Sequence, residues 1–120
     1  MIFVEGGNTF FLLQELKRTG ADQMLIREVN LGKVYIGESA GAIVACPDIG
    51  YSTVMDAPEK APDLSLRTFP GGFLCSSHLG NREMGAAAEE IVRKYGQEIE
   101  LKVLTDDQAV FVQGESTEIL

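Results

Sequence analysis

Ser39 lies in Gly37-Glu38-Ser39-Ala40-Gly41, a G-x-S-x-G pentapeptide. A serine hydroxyl is a weak nucleophile unless a base takes its proton and donors receive the negative charge that develops on the attacked carbonyl. The pentapeptide answers the steric part of that need. Glycines on both flanks permit a sharp strand-to-helix turn that holds the hydroxyl clear of the backbone. The N–H of Ala40 then opens the next helix, where amide donors and the helix dipole favour an oxyanion. For the base there is one candidate, because His78 is the only histidine in the chain. An imidazole in that role needs a third group to hold its tautomer and stabilise its cation. Asp106 and Asp107 follow an apolar run, and Asp56 lies in a proline-bearing stretch. Asp106 makes the chain order Ser, His, Asp, whereas Asp56 makes it Ser, Asp, His, as in α/β-hydrolases. A strand end holds geometry better than a loop, which favours Asp106. Glu5-Gly6-Gly7-Asn8-Thr9 is a second Gly-rich turn. It lacks the G-x-G-x-x-G spacing of dinucleotide binding and the lysine of a P-loop, and its amides can complete an oxyanion hole with Ala40.

Such a site needs rigid elements that end at one edge. Residues 2–4 form a short apolar run that stops at Glu5-Gly6-Gly7, which predicts a strand. Asn8 or Thr9 can cap a helix carrying Phe10, Leu13 and Leu16, closed by Thr19-Gly20 with Lys17 and Arg18 in its last turn. Asp22 can cap a second helix with Leu25 and Val29 on one side. Residues 34–36 read as a buried strand that runs into Gly37. The stretch 48–70 holds three of the four prolines and no sustained period, so it predicts a long surface loop. Residues 73–75 make a further strand. Asn81 caps a helix whose apolar positions are Met84, Ala88, Ile91 and Tyr95. A strand over 101–104 follows, and 109–112 with 117–120 read as a hairpin turning at Gly114-Glu115.

This alternation predicts an α/β fold: an open, mostly parallel sheet with helices on both faces and a C-terminal hairpin. In such a sheet the ends of 34–36, 73–75 and 101–104 fall at one carboxyl edge, where ligands bind. Ser39, His78 and Asp106 all follow those ends. The strand over 2–4 is wholly apolar and expects neighbours on both faces. With 120 residues, the chain is one domain, or part of one, over 1–120.

Composition narrows the function classes. Ten Lys and Arg against eighteen Asp and Glu leave a net charge of −8, and no more than two cations are adjacent, which argues against a nucleic-acid partner. Apolar runs fall far short of the ~20 residues of a membrane helix. The N-terminus has no basic or apolar leader pattern, so a cytoplasmic location is expected. Cys46 and Cys75 have neither metal-ligand spacing nor the density of a disulfide scaffold, and no metal or cofactor is expected.

Together, Ile2-Phe3-Val4-Glu5-Gly6-Gly7-Asn8-Thr9-Phe10 and Tyr35-Ile36-Gly37-Glu38-Ser39-Ala40-Gly41-Ala42 resemble the dipeptidase E and cyanophycinase family of serine peptidases. His78 and Leu104-Thr105-Asp106-Asp107-Gln108-Ala109 lie where that family carries its base and acid. The resemblance implies a sheet related to class I glutamine amidotransferases, and hydrolysis of small peptides at aspartyl residues. It implies Ser39 as nucleophile, His78 as base, Asp106 as acid, and Gly7 with Ala40 as oxyanion donors. Full-length members begin with further βα units, so the chain resembles a truncated or short-form member. Glu38 replaces the aromatic that precedes the nucleophile in aspartyl dipeptidases, and its carboxylate would repel an acidic substrate. Arg82 is the cation near His78 that can hold a substrate carboxylate. The competing expectation is a catalytically silent remnant that self-associates or binds a partner. An unpaired parallel strand is a pairing template, so a homodimer or higher oligomer is expected in either case.

Overall fold

The computed structural model describes residues 1–57 and 74–120. Strand β1 (Ile2–Val4) leads to helices α1 (Thr9–Thr19) and α2 (Ala21–Asn30), then to β2 (Tyr35–Gly37) and the short α3 (Ala40–Ile43). A 3₁₀ turn covers Gly50–Val54. After it come β3 (Leu74–Ser76), α4 (Gly85–Tyr95), β4 (Leu101–Val103) and the hairpin β5 (Val110–Gln113) and β6 (Ser116–Ile119). Asn8 is the cap of α1, its Oδ1 accepting from the Phe11 N–H at 3.0 Å. Gly20 closes α1 in the left-handed region, at φ 75°, and that same residue starts α2. Asp22 therefore sits inside the first turn of α2 and does not cap it.

The mixed α/β architecture is present, but the strands are not hydrogen-bonded into one sheet. Among the described residues they form two parallel pairs, β1 with β2 and β3 with β4, and one antiparallel pair, β5 with β6. A cause is visible on β3. Leu74 donates to Glu100 and Ser76 accepts from Leu104, so both face β4. Alternation leaves Cys75 facing the other edge. There the Tyr51 hydroxyl donates to the Cys75 carbonyl, occupying the acceptor that another strand would use. The site-bearing segments are nevertheless joined, because α3 packs against both β2 and β3.

Two further expectations are corrected. The stretch 48–57 is not a surface loop: Ile49, Tyr51 and Ser52 are buried, and Ile49 and Tyr51 belong to the main core with Phe10, Leu13, Ile43, Val44 and Ile91. A single 3₁₀ turn carries no 3.6-residue period, so its apolar residues read as scattered. The rest of the expected loop, and Phe73 of the expected strand 73–75, lie outside the described residues. Strands β1 and β2 are not buried on both faces either. Phe3 pairs in register with Ile36, and both are exposed, at 53% and 41%. Ile2, Val4, Tyr35 and Gly37, on the opposite side of the ladder, are half-buried. The expected hairpin is present, turning at Gly114-Glu115.

Candidate active site

Ser39 lies two residues past the end of β2 and has φ 51°, ψ −113°, a conformation that L-residues rarely hold. Such a backbone costs about 1–3 kcal/mol and persists only where its surroundings dictate it. The two flanking glycines supply those surroundings. A Cβ on Gly37 would stand 2.5 Å from the backbone of Gly41, and a Cβ on Gly41 would collide with the Val4 carbonyl. The turn is thus pressed against itself and against the end of β1. The Glu38 N–H donates to the Val4 carbonyl at 2.9 Å, and the Tyr35 hydroxyl donates to the Gly41 carbonyl at 2.6 Å. Burial pushes the Tyr35 phenol well up, so it remains a donor.

His78 is placed by the other parallel pair. Register sets Ser76 opposite Val103, so the segments leaving β3 and β4 emerge side by side. The Leu79 N–H donates to the Leu104 carbonyl at 3.0 Å, which ties the histidine turn to the end of β4. His78 itself lies at φ 72°, the second non-glycine residue in the left-handed region among the described residues, the other being Ser39.

The three side chains meet in a line. Ser39 Oγ lies 2.8 Å from His78 Nε2, and His78 Nδ1 lies 2.7 Å from Asp106 Oδ1. The carboxylate can only accept, so Nδ1 carries the proton and Nε2 is left to accept from the serine hydroxyl. Asp56 is elsewhere: its Oδ2 accepts from the Thr9 N–H at 2.9 Å, holding the start of α1. Asp107 accepts from the Thr105 hydroxyl. Hydrogen bonds from Asn81 and then from His78 hold the Asp106 carboxyl below its ordinary range, so it stays ionised.

Gly6 borders Ser39. A Cβ on Gly6 would stand 3.2 Å from the Ser39 Cβ, and Gly7 has φ 142°, which favours glycine. Ala40 opens α3, so its N–H is one that the helix itself leaves unpaired. Arg82 is exposed in the turn before α4 and has no hydrogen bond or ion pair among the described residues. Glu38 is exposed beside Ser39.

The profile of peptidase family S51 matches residues 1–120. The chain belongs to that family. It is 41% identical over 115 residues to an uncharacterised peptidase of Listeria monocytogenes, an alignment spanning 94% of this chain and 56% of the relative. An uncharacterised peptidase of Pasteurella multocida is 42% identical over 120 residues, spanning 97% and 57%. The peptidase E of Streptomyces coelicolor is 33% identical over 108 residues, spanning 86% and 44%. A crystal structure of a candidate peptidase E from Listeria monocytogenes superposes with a TM-score of 0.85 at 39% identity, covering 100% of this chain and 58% of that one. The chain therefore spans little more than half the length of the S51 relatives it matches most fully.

One residue of this cluster was not legible as part of it. Asn81 reads in the sequence only as a helix cap, but α4 begins at Gly85 with Met84 at its cap position, and the Asn81 Oδ1 accepts from the Glu83 and Met84 N–H groups of the turn before it. Its Nδ2 also donates to Asp106 Oδ2, and its N–H to the His78 carbonyl. The side chain thus fixes the acid and the approach to α4, and the backbone of the same residue fixes the histidine turn. Its position three residues after the lone histidine was the available signal, but nothing in the linear spacing shows that Asp106 arrives beside it.

Proposed function

We propose that the chain carries the catalytic centre of a serine peptidase acting on small peptides, with Ser39 as nucleophile, His78 as general base and acid, and Asp106 as the orienting carboxylate. The observation that carries this reading is the unbroken line from Ser39 Oγ through both ring nitrogens of His78 to Asp106. Ser39 Oγ attacks the scissile carbonyl while Nε2 takes its proton. The oxyanion is received by the N–H groups of Ala40 and Gly7. Nε2 then gives the proton to the leaving amine, and the acyl-enzyme remains on Ser39. Nε2 next removes a proton from water, which attacks the ester and frees the serine. Asp106 stays ionised throughout and stabilises the imidazolium.

A fluorophosphonate probe tests this centre directly. Labelling of Ser39, lost in Ser39→Ala and sharply reduced in His78→Ala, is the expected result. The double variant should lose little more turnover than either single one, because the two side chains act as a unit. No labelling of the folded protein would favour the silent, partner-binding alternative.

For substrate we propose a short peptide with an N-terminal Asp, its side-chain carboxylate paired by Arg82. Support comes from the exposed guanidinium four residues beyond His78, which has no ion pair among the described residues. Glu38 acts in the opposite sense and keeps the preference modest. Arg82→Lys loses the bidentate fork and should raise KM for Asp-initiated peptides several-fold more than for neutral ones. Equal effects on both substrate classes would remove Arg82 from the site.

A further inference from the structure

We propose that Cys46 and Cys75 are a thiol–disulfide couple, an oxidisable site that can tie the segment after the Ser39 turn to the strand that leads to His78. The two sulfurs lie 3.2 Å apart, and the residues are 3% and 6% exposed. Cys46 follows α3, with its Sγ donating to the Ala42 carbonyl at 3.6 Å. Cys75 is the middle residue of β3, and Tyr51, five residues past Cys46, holds its carbonyl. The backbones on both sides of the sulfur pair are therefore anchored. Closing from this separation to the ~2.05 Å of a disulfide asks little of the surrounding chain.

The two thiols are not equivalent. A hydrogen bond from Cys75 holds the Cys46 thiol below its ordinary range, while the shared proton and burial push Cys75 up. Cys46 is accordingly the attacking sulfur and Cys75 the resolving one. Burial restricts the oxidant to a small peroxide. The Cys46 thiolate attacks one peroxide oxygen, the O–O bond breaks, and hydroxide leaves, producing a sulfenic acid on Cys46. The Cys75 sulfur then attacks the Cys46 sulfur. The S–O bond breaks, the S–S bond forms, and the Cys75 proton leaves with the hydroxyl as water. Two thiols and one hydrogen peroxide thus become one disulfide and two waters.

The test exposes the folded protein to hydrogen peroxide, unfolds it in denaturant with iodoacetamide, and maps the products by mass. The expected product is a single chain lighter by two hydrogens, carrying no alkyl group and yielding a Cys46–Cys75 linked peptide. It should form about tenfold or more faster in the native protein than in urea, since the fold holds the sulfurs together. Two alkylated cysteines after exposure, over-oxidised sulfurs without a link, a link between chains, or equal rates in buffer and urea would each overturn the proposal.

Discussion

At the scale of single residues, the two carboxylates that the sequence offers as the orienting acid, Asp106 favoured over Asp56, have different tasks. Asp106 touches His78 and Asn81, whereas Asp56 holds the N-terminus of α1 through Thr9. Asp106→Asn presents an amide that favours the wrong imidazole tautomer, so we expect a loss in kcat approaching the ~10⁴ known for that change in a trypsin-type triad. Asp56→Ala leaves the line from Ser39 to Asp106 intact, and should retain turnover while lowering stability by about 1 kcal/mol through the lost helix-start acceptor. Steady-state kinetics and urea midpoints of the two variants, side by side, check both halves. A large kinetic loss at Asp56 with little at Asp106 would reverse the assignment.

At the scale of elements, the site depends on how tightly the turn between β2 and α3 presses on β1. The clash predicted for a Cβ on Gly41 is with backbone, the Val4 carbonyl, which cannot rotate away as a side chain tip can. Gly41→Ala must therefore shift the turn or separate β1 from it, and either change moves Ser39 Oγ from His78. We expect a destabilisation of ~2–4 kcal/mol, together with loss of fluorophosphonate labelling in whatever fraction remains folded. A folded Gly41→Ala protein with normal labelling would show that this close approach is not needed. The 3₁₀ turn Gly50–Val54 works at the same scale: it inserts Tyr51 beside β3 and seals the core under the histidine strand.

At the scale of the whole molecule, the exposed face of the β1–β2 ladder stands out. Phe3 and Ile36 are paired across it, and Met1 and Val34 lie two residues back on the same face, 84% and 61% exposed. Phe11 on α1 is 63% exposed as well. We propose that this face associates with a second copy of the chain. Apolar burial contributes ~25 cal/mol per Å², and a net charge of −8 opposes association only weakly where screening acts within ~8 Å. Light scattering at low micromolar concentration should show a dimer or larger assembly, and Phe3→Glu should return it to a monomer. A monomeric unsubstituted chain would end the proposal.

What the sequence determined by itself follows from local rules. The Asn8 cap, the Gly20 stop, the Gly114-Glu115 hairpin and the serine turn are each dictated by short-range sterics and hydrogen bonding, and all were legible. His78 could be singled out as the only histidine, and Ser39 by the glycines that flank its turn. The choice between Asp56 and Asp106, the second role of Asn81 and the meeting of Cys46 with Cys75 were not legible to that degree. Each depends on the register of β3 against β4 and on which core residues fill the space between the ladders. Those are long-range packing decisions, made by chain segments tens of residues apart, and only the tertiary structure carries them.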